Sequence, residues 1–349
     1  VKGVERFVNF PYQRNLPAKP EIWTKGSVSL LDYRQAAEAH SDNKCEKQGE
    51  KPLLFVIPSL INRSFVLDLN QKHSFLRFAA TYSNPILLDW GNPAWNSPSV
   101  GGASRGASNP QSLAEYITEY ILPAFDYVCE YLRKPGQQVV VSGYCMGGIF
   151  ALALAQLRPA EVGKIVFLAT PWNFHSSDSS VPRLSSAAVD AMRYLLTSES
   201  VMPASAIQYL FYWASPFLFA RKYGRVGKGA LSDLDMETFV AIEEWANDGV
   251  DLPALIAAEC IADWGMLNTV AAGKWFVDGT PISPENLSIP SMHVIPKRDR
   301  VVPPQCAKAL ADLMVNSQVL EPDCGHIGIM AGTHTIKDIW QPLQRWIMD

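Results

Sequence analysis

No Cys-x-x-Cys pair occurs among the six cysteines, Cys45, Cys129, Cys145, Cys260, Cys306 and Cys324. Zinc ribbons and thioredoxin-type redox motifs therefore have no support. Six scattered thiols in 349 residues read as the usage of a cytoplasmic protein and not as a disulfide framework. There is no basic excess: 30 Lys and Arg stand against 34 Asp and Glu, a net charge of −4. A nucleic-acid-binding surface would usually carry the opposite sign. Low net charge with 48% hydrophobic residues also excludes a disordered chain. The segment Val1 to Phe7 has no apolar core of the kind a secretory signal needs. Since Val1 stands where a chain normally has Met, an upstream segment can have been lost. No internal repeat and no low-complexity tract is found. One uncharged run, Val139 to Leu157, comes close to the ~20 residues of a spanning helix. Its interior reads otherwise: a β-branched strand at Val139-Val140-Val141, a glycine turn at 142–148, and an Ala/Leu-rich helix from Ile149.

What is present is an alternation. Short apolar runs, each ended by a breaker, occur at Leu53–Ile57, Pro85–Trp90, Val139–Val141, Lys164–Thr170, Met292–Ile295 and Gln318–Leu320. Helical spacing lies between them, at Phe75–Ala80, Leu113–Val128, Ile149–Leu157, Cys306–Met314 and Ile336–Ile347. Pro123 lies inside the second of these and is expected to kink it. Buried strands alternating with helices specify an α/β protein whose mostly parallel sheet is covered on both faces. From Pro171 to about Thr280 the alternation stops. That stretch holds Trp172, Trp213, Trp245, Trp264 and Trp275, five of the ten tryptophans, with helices expected at Met236–Trp245 and Pro253–Trp264. The division expected is an N-terminal arm with a short hairpin or helix (1–50), a core (51–170), an inserted helical cap (171–280) and the rest of the core (281–349).

Gly143-Tyr144-Cys145-Met146-Gly147-Gly148 has the form of a nucleophile elbow between strand and helix. Small residues are needed on both sides because strand and helix pack closely around a strained turn. A thiol projected there lies over a helix N-terminus, which favours a thiolate and an oxyanion. The plainer reading is a core cysteine in a glycine-rich turn. Elbow enzymes place an acid and then a histidine later in the chain. Asp299 follows the strand Met292–Ile295, and His326 lies in the glycine-flanked loop Cys324–Gly328; plainer readings are a solvated aspartate between Arg298 and Arg300 and a turn histidine. The other five histidines fit less well: His40 in the polar arm, His73 before the elbow, His175 at the start of the cap, His293 within a strand and His334 before the last helix. An oxyanion hole needs two backbone N–H groups. Met146 is one candidate, and Ile61, or a residue beside it in the loop after Leu53–Ile57, is the other. Gly101–Gly106 lacks both a Walker lysine and the dinucleotide pattern. Arg221, Lys222, Arg225 and Lys228 form a basic cluster that reads first as a solvated surface and second as a contact for a CoA phosphate.

At these residues the sequence resembles the polyhydroxyalkanoate synthases, α/β-hydrolase-fold acyltransferases that polymerise hydroxyacyl-CoA. The resemblance runs from about Pro20 to the C-terminus. It rests on Pro52–Leu54 through Ile61-Asn62-Arg63 to Leu67-Asp68-Leu69, on Ile86–Pro93, on Leu113–Leu132, and on Gly143–Gly148. It continues at Ala169–Phe174, at Asp299 with Val301–Pro304, and at Gly325–Gly328. It departs at Arg300, where the family usually has His, and is loose between Ser176 and Ala230. The resemblance implies Cys145 as nucleophile, His326 as base and Asp299 as its acidic partner. It implies hydroxyacyl-CoA as substrate with no metal and no further cofactor. It also implies a second synthase subunit, a homodimer, and location in the cytoplasm or on polymer granules. The alternatives are a cysteine hydrolase resembling dienelactone hydrolase, which shares the Gly-Tyr-Cys-x-Gly-Gly box, and a non-catalytic granule-associated homologue.

Overall fold

A computed structural model of the chain describes residues 2–37, 50–92, 110–178, 186–197, 201–208, 223–224, 226–228 and 231–349. Cys45, His40, Trp213, the loop 101–106 and Arg221, Lys222 and Arg225 of the basic cluster lie outside the described residues. Among the described residues no helix is long and apolar enough to cross a membrane.

Eight strands form one sheet: β1 Glu21–Lys25, β2 Val28–Asp32, β3 Leu53–Ile57, β4 Asn84–Asp89, β5 Val139–Tyr144, β6 Lys164–Leu168, β7 Ser291–Val294 and β8 Ser317–Leu320. Their order is β1-β2-β4-β3-β5-β6-β7-β8. Each pair from β4 to β8 is parallel, while β2 runs antiparallel to both β1 and β4. The hairpin expected in the first fifty residues thus extends the sheet at its β4 edge. The two-residue alternation of a strand splits the apolar residues cleanly. Phe55, Val141, Ile165 and Phe167 pack on one face with α3 (113–132) and α4 (Gly147–Leu157). Leu54, Val56, Val140, Val166 and Leu168 pack on the other with α2 (Phe75–Ala79) and the C-terminal helix (336–348). Pro123 does not break α3. It sits near the start of an α-helical piece that follows a π-turn at Ile117–Ile121, so its missing N–H falls where the hydrogen-bond register changes.

The N-terminal arm opens with helix α1 (Lys2–Val8) and is tied down by charge. Asp68, fully buried, accepts from Arg77 Nε at 2.7 Å and Nη2 at 3.0 Å, from Ser74 Oγ at 2.6 Å and from Tyr33 Oη at 3.0 Å. Arg14 of the arm donates to the Asp68 carbonyl at 2.7 Å. A buried carboxylate is tolerable because every lone-pair direction is met.

Between β6 and β7 the described residues add no strand to this sheet. It forms helices at Ser186–Leu196, Asp233–Asn247 and 254–266. Pro253 stands at the N-cap of the last of these instead of inside its first turn. The segment is fastened to the core through Trp245 and Glu259, and its start is joined to its far end through Asn173, Phe174 and His175. Trp245 Nε1 donates to the Arg63 carbonyl at 2.8 Å, with Asn62 bridged to Gly249. His175 Nε2 lies 3.0 Å from the Met266 carbonyl, and Asn268 is bonded to Asn173 and Phe174. The N–H of Leu113, opening α3, donates to Glu259 Oε2 at 2.6 Å.

Burial pushes the Glu259 carboxyl up to about 7, against the opposing pull of the Leu113 N–H. Between about pH 4.5 and 7 the folded chain then keeps a proton that the unfolded chain releases, so this group's contribution to stability declines as pH rises through that window. Glu259→Gln keeps an acceptor for Leu113 and removes the titration. Compared with the parent by urea unfolding, it is expected to gain about 1–2 kcal/mol at pH 8 relative to pH 5. An equal difference at both pH values would exclude the effect.

Candidate active site

Cys145 sits where β5 ends and α4 begins. Its φ is 54°, in the left-handed region that a side-chain-bearing residue normally avoids. Its N–H donates to the Leu168 carbonyl at the end of β6 at 2.8 Å, and its carbonyl accepts from Gly148 N–H at 3.0 Å. The flanking glycines permit this. A Cβ at position 143 would collide with the backbone of Gly147 and Gly148, and one at 147 with the carbonyl oxygens of Ile57 and Pro58. The thiol is partly buried and lies where three apolar clusters meet.

Asp299 and His326 come to the same edge from the loops after β7 and β8. Those loops are zipped together: Lys297 N–H donates to the Pro322 carbonyl and Arg298 N–H to the Cys324 carbonyl, each at 2.9 Å. Arg298 turns outward onto Asp323 at 2.9 Å, which leaves Asp299 buried. One Asp299 oxygen accepts from the N–H groups of Val301 and Val302 at 2.8 and 2.9 Å. The other lies 2.7 Å from His326 Nδ1. That bond leaves Nε2 as the ring nitrogen available to Cys145, the other group that acts on the imidazole. Burial pulls the imidazole pKa down, but the Asp299 charge, followed by Cys145 and the bonds to both, outweighs it and raises it to about 10. The structure therefore brings Cys145, His326 and Asp299 together, although 181 positions separate the first from the last in sequence.

The remaining described histidines do other work. His293 is buried in β7, stacked on Phe167 at 4.7 Å, and burial pushes it down to about 3. His73 is buried beside Thr238, with its pKa also pushed down by burial, to about 4. His334 is exposed.

Met146 is buried and precedes the first turn of α4, accepting from Ile149 N–H at 3.0 Å. Ile61 is half-buried, and its N–H lies 3.4 Å from Ser59 Oγ, a long contact. Its loop abuts the elbow through Ile57 and Pro58, whose carbonyls face Gly147. Lys228, from the basic cluster, is exposed. Two groups near Cys145 gave no signal in sequence. Tyr144 is buried with its ring 5.3 Å from that of His326. Cys306 packs in the same apolar cluster as Cys145, and burial pushes its thiol up to about 12. Both are ordinary core residues by pattern, and only the fold places them here.

Seven curated relatives are all polyhydroxyalkanoate polymerase subunits PhaC. The chain is 25% identical over 314 residues to the one from Haloferax mediterranei, covering 89% of this chain and 61% of that one. It is 27% identical over 355 residues to the one from Thiocystis violacea, covering 99% of this chain and 92% of the relative. The resemblance read from the motifs thus extends over most of the sequence. Among solved structures, the thioesterase domain from the curacin biosynthetic pathway superposes with a TM-score of 0.53 at 15% identity, covering 95% of this chain and 100% of that one. The non-heme bromoperoxidase BpoC from Mycobacterium tuberculosis H37Rv gives 0.52 at 14%, covering 94% and 99%. These two likenesses carry the fold alone. A model of the alpha/beta hydrolase family matches residues 68–334. With that match over three-quarters of its length, and with strand order, elbow and loop positions as described, the chain belongs to the alpha/beta hydrolase family.

Proposed function

We propose that this chain is the catalytic subunit of a polyhydroxyalkanoate synthase, polymerising (R)-3-hydroxyacyl-CoA with release of CoA. The observation that carries the reading is a cysteine at the elbow, beside a histidine whose pKa it helps to raise and which an aspartate orients, in a chain similar to PhaC subunits along most of its length. The Cys145 thiol gives its proton to His326, and the imidazolium is stabilised by Asp299. The thiolate adds to the thioester carbonyl of the substrate. The oxyanion is held by the N–H of Met146 and by that of Ile61, which exchanges its long contact with Ser59 for the stronger charged acceptor. Collapse expels CoA thiolate, which takes the proton from His326, and the acyl group stays on Cys145 as a thioester. A hydroxyl from the next unit then gives its proton to His326 and attacks that thioester, forming an oxoester and freeing the Cys145 sulfur.

A cysteine suits this sequence of transfers. Exchange of one thioester for another keeps the acyl group activated, and the fall to an oxoester drives chain growth. A serine would form the oxoester one step too early. Water must be kept from the acyl-enzyme, and the tryptophan-rich segment between β6 and β7 suits that role.

Three measurements test the reading. His326→Gln is expected to keep the fold and to slow iodoacetamide alkylation of Cys145 at pH 7 at least ten-fold; unchanged labelling kinetics would break the pairing. Cys145→Ser, incubated with hydroxybutyryl-CoA, is expected to lose polymer formation while releasing free acid slowly. Polymer at more than about a tenth of the parent rate, a barrier change below ~1.4 kcal/mol, would mean that Cys145 does not carry the chain. In the parent, fast CoA release with free acid and no polymer would favour a hydrolase resembling dienelactone hydrolase. A second subunit is part of the proposal, and full-rate, lag-free polymer from the purified chain alone would remove it.

A further inference from the structure

Tyr144 is the last residue of β5 and the immediate neighbour of Cys145. It lies on the sheet face that carries Val140, Val166 and Leu168, and it is 2% exposed. Its ring centroid is 5.3 Å from that of His326, with the planes inclined by 38°. Its hydroxyl finds no hydrogen-bond partner among the described residues. Burial, with the charges of Cys145 and Asp299, drives the phenol far above its ordinary range, so the group is neutral at every working pH. The ring, and not the hydroxyl, is therefore what Tyr144 presents to the site.

His326 is fixed at Nδ1 by one hydrogen bond, to Asp299. A single bond leaves the imidazole free to rock about the line joining the two groups. A ring against its face blocks that rocking. An aromatic face also attracts a cation within about 6 Å of its centre, and the imidazolium is the form that must persist while Cys145 is a thiolate. Asp299 already favours the imidazolium, and the other titratable groups around this site add nothing to that stabilisation. Cys306 and Cys324 are held protonated, with burial pushing them up to about 12 and about 11, and Arg298 is engaged with Asp323 at the surface.

We propose that Tyr144 is a positioning residue: its ring supports the His326 imidazole and favours the imidazolium, and its hydroxyl contributes nothing to the chemistry. The inference rests on the pairing of Cys145 with His326 and not on the identity of the acyl acceptor, so its test reads the thiol directly. Iodoacetamide alkylation of Cys145 at pH 7 is measured in the full chain. Tyr144→Phe is expected to stay within two-fold of the parent and to melt no lower, because an unpaired buried hydroxyl is lost. Tyr144→Leu is expected to fall at least five-fold. Replacing residue 144 by phenylalanines bearing one, two and three ring fluorines, which drain the negative face without changing the shape, is expected to lower the rate stepwise to about a third of that of Tyr144→Phe. The fluorinated series decides the matter even where Tyr144→Leu fails to fold. A flat series, or a Tyr144→Phe rate as low as that of Tyr144→Leu, overturns the proposal. His326→Gln separates the two levels. If it too leaves alkylation unchanged, the pairing itself is wrong and both readings fall. If it slows alkylation while the series stays flat, only the role of Tyr144 is overturned.

Discussion

The left-handed backbone at Cys145 is the constraint on which the site depends. A non-glycine residue held there costs about 1–3 kcal/mol, and such a conformation persists only where its surroundings over-determine it. Here they do. The Cys145 N–H is committed to Leu168 and its carbonyl to Gly148, while Gly143 and Gly147 let α4 press against β5 and against the Ile57–Pro58 carbonyls. Three consequences follow from that one turn. The thiol is placed at the end of the sheet, where the apolar clusters of its two faces meet. Met146 is placed at the head of α4, with the field of that helix behind it. The loop bearing Ile61 is brought up against the elbow. None of these could be adjusted separately, because each depends on the same backbone contact.

The histidine and its aspartate solve a different problem. They sit on two surface loops, which are ordinarily the mobile parts of a fold. The paired N–H groups of Lys297 and Arg298, donating to the carbonyls of Pro322 and Cys324, continue the pairing of β7 and β8 past the strand ends and make the two loops one unit. Outside it, Arg298 and Asp323 form an exposed pair worth little by itself. Inside it, Asp299 receives two backbone N–H groups and the imidazole, so the carboxylate is fully engaged without an arginine. Arg298, which reads in sequence as a neighbour solvated beside Asp299, is turned onto Asp323 instead.

The segment between β6 and β7 is joined to the elements that build the site. Trp245 holds the Arg63 carbonyl, two residues beyond Ile61, and Glu259 holds the first N–H of α3. Buried Trp264 packs edge-on to Trp275 at 5.0 Å and against Phe150 of α4 at 5.9 Å. A movement of this segment would therefore be felt at the loop bearing Ile61 and along the helix behind Cys145.

The sequence by itself determined the α/β class, all the sheet strands from β3 onward, and the helices between them, because a buried parallel strand must be a short continuous apolar run and a helix must repeat its apolar residues near every third or fourth position. It also marked Cys145, since glycines at 143, 147 and 148 around a strand-to-helix turn have few other uses. Asp299 and His326 were legible as candidates from chain order and glycine flanks. Their burial, their 2.7 Å contact and the exclusion of His73 and His293 were not, because those depend on loops and strands far apart in sequence. The π-turn that carries α3 past Pro123 was hidden for a similar reason: packing against the sheet outweighs the local preference of one proline. The Asp68–Arg77 network and the raised carboxyl of Glu259 had no sequence signature at all. A charged residue is read as exposed until the fold closes over it, and which carboxylates are closed over is decided by tertiary contacts alone.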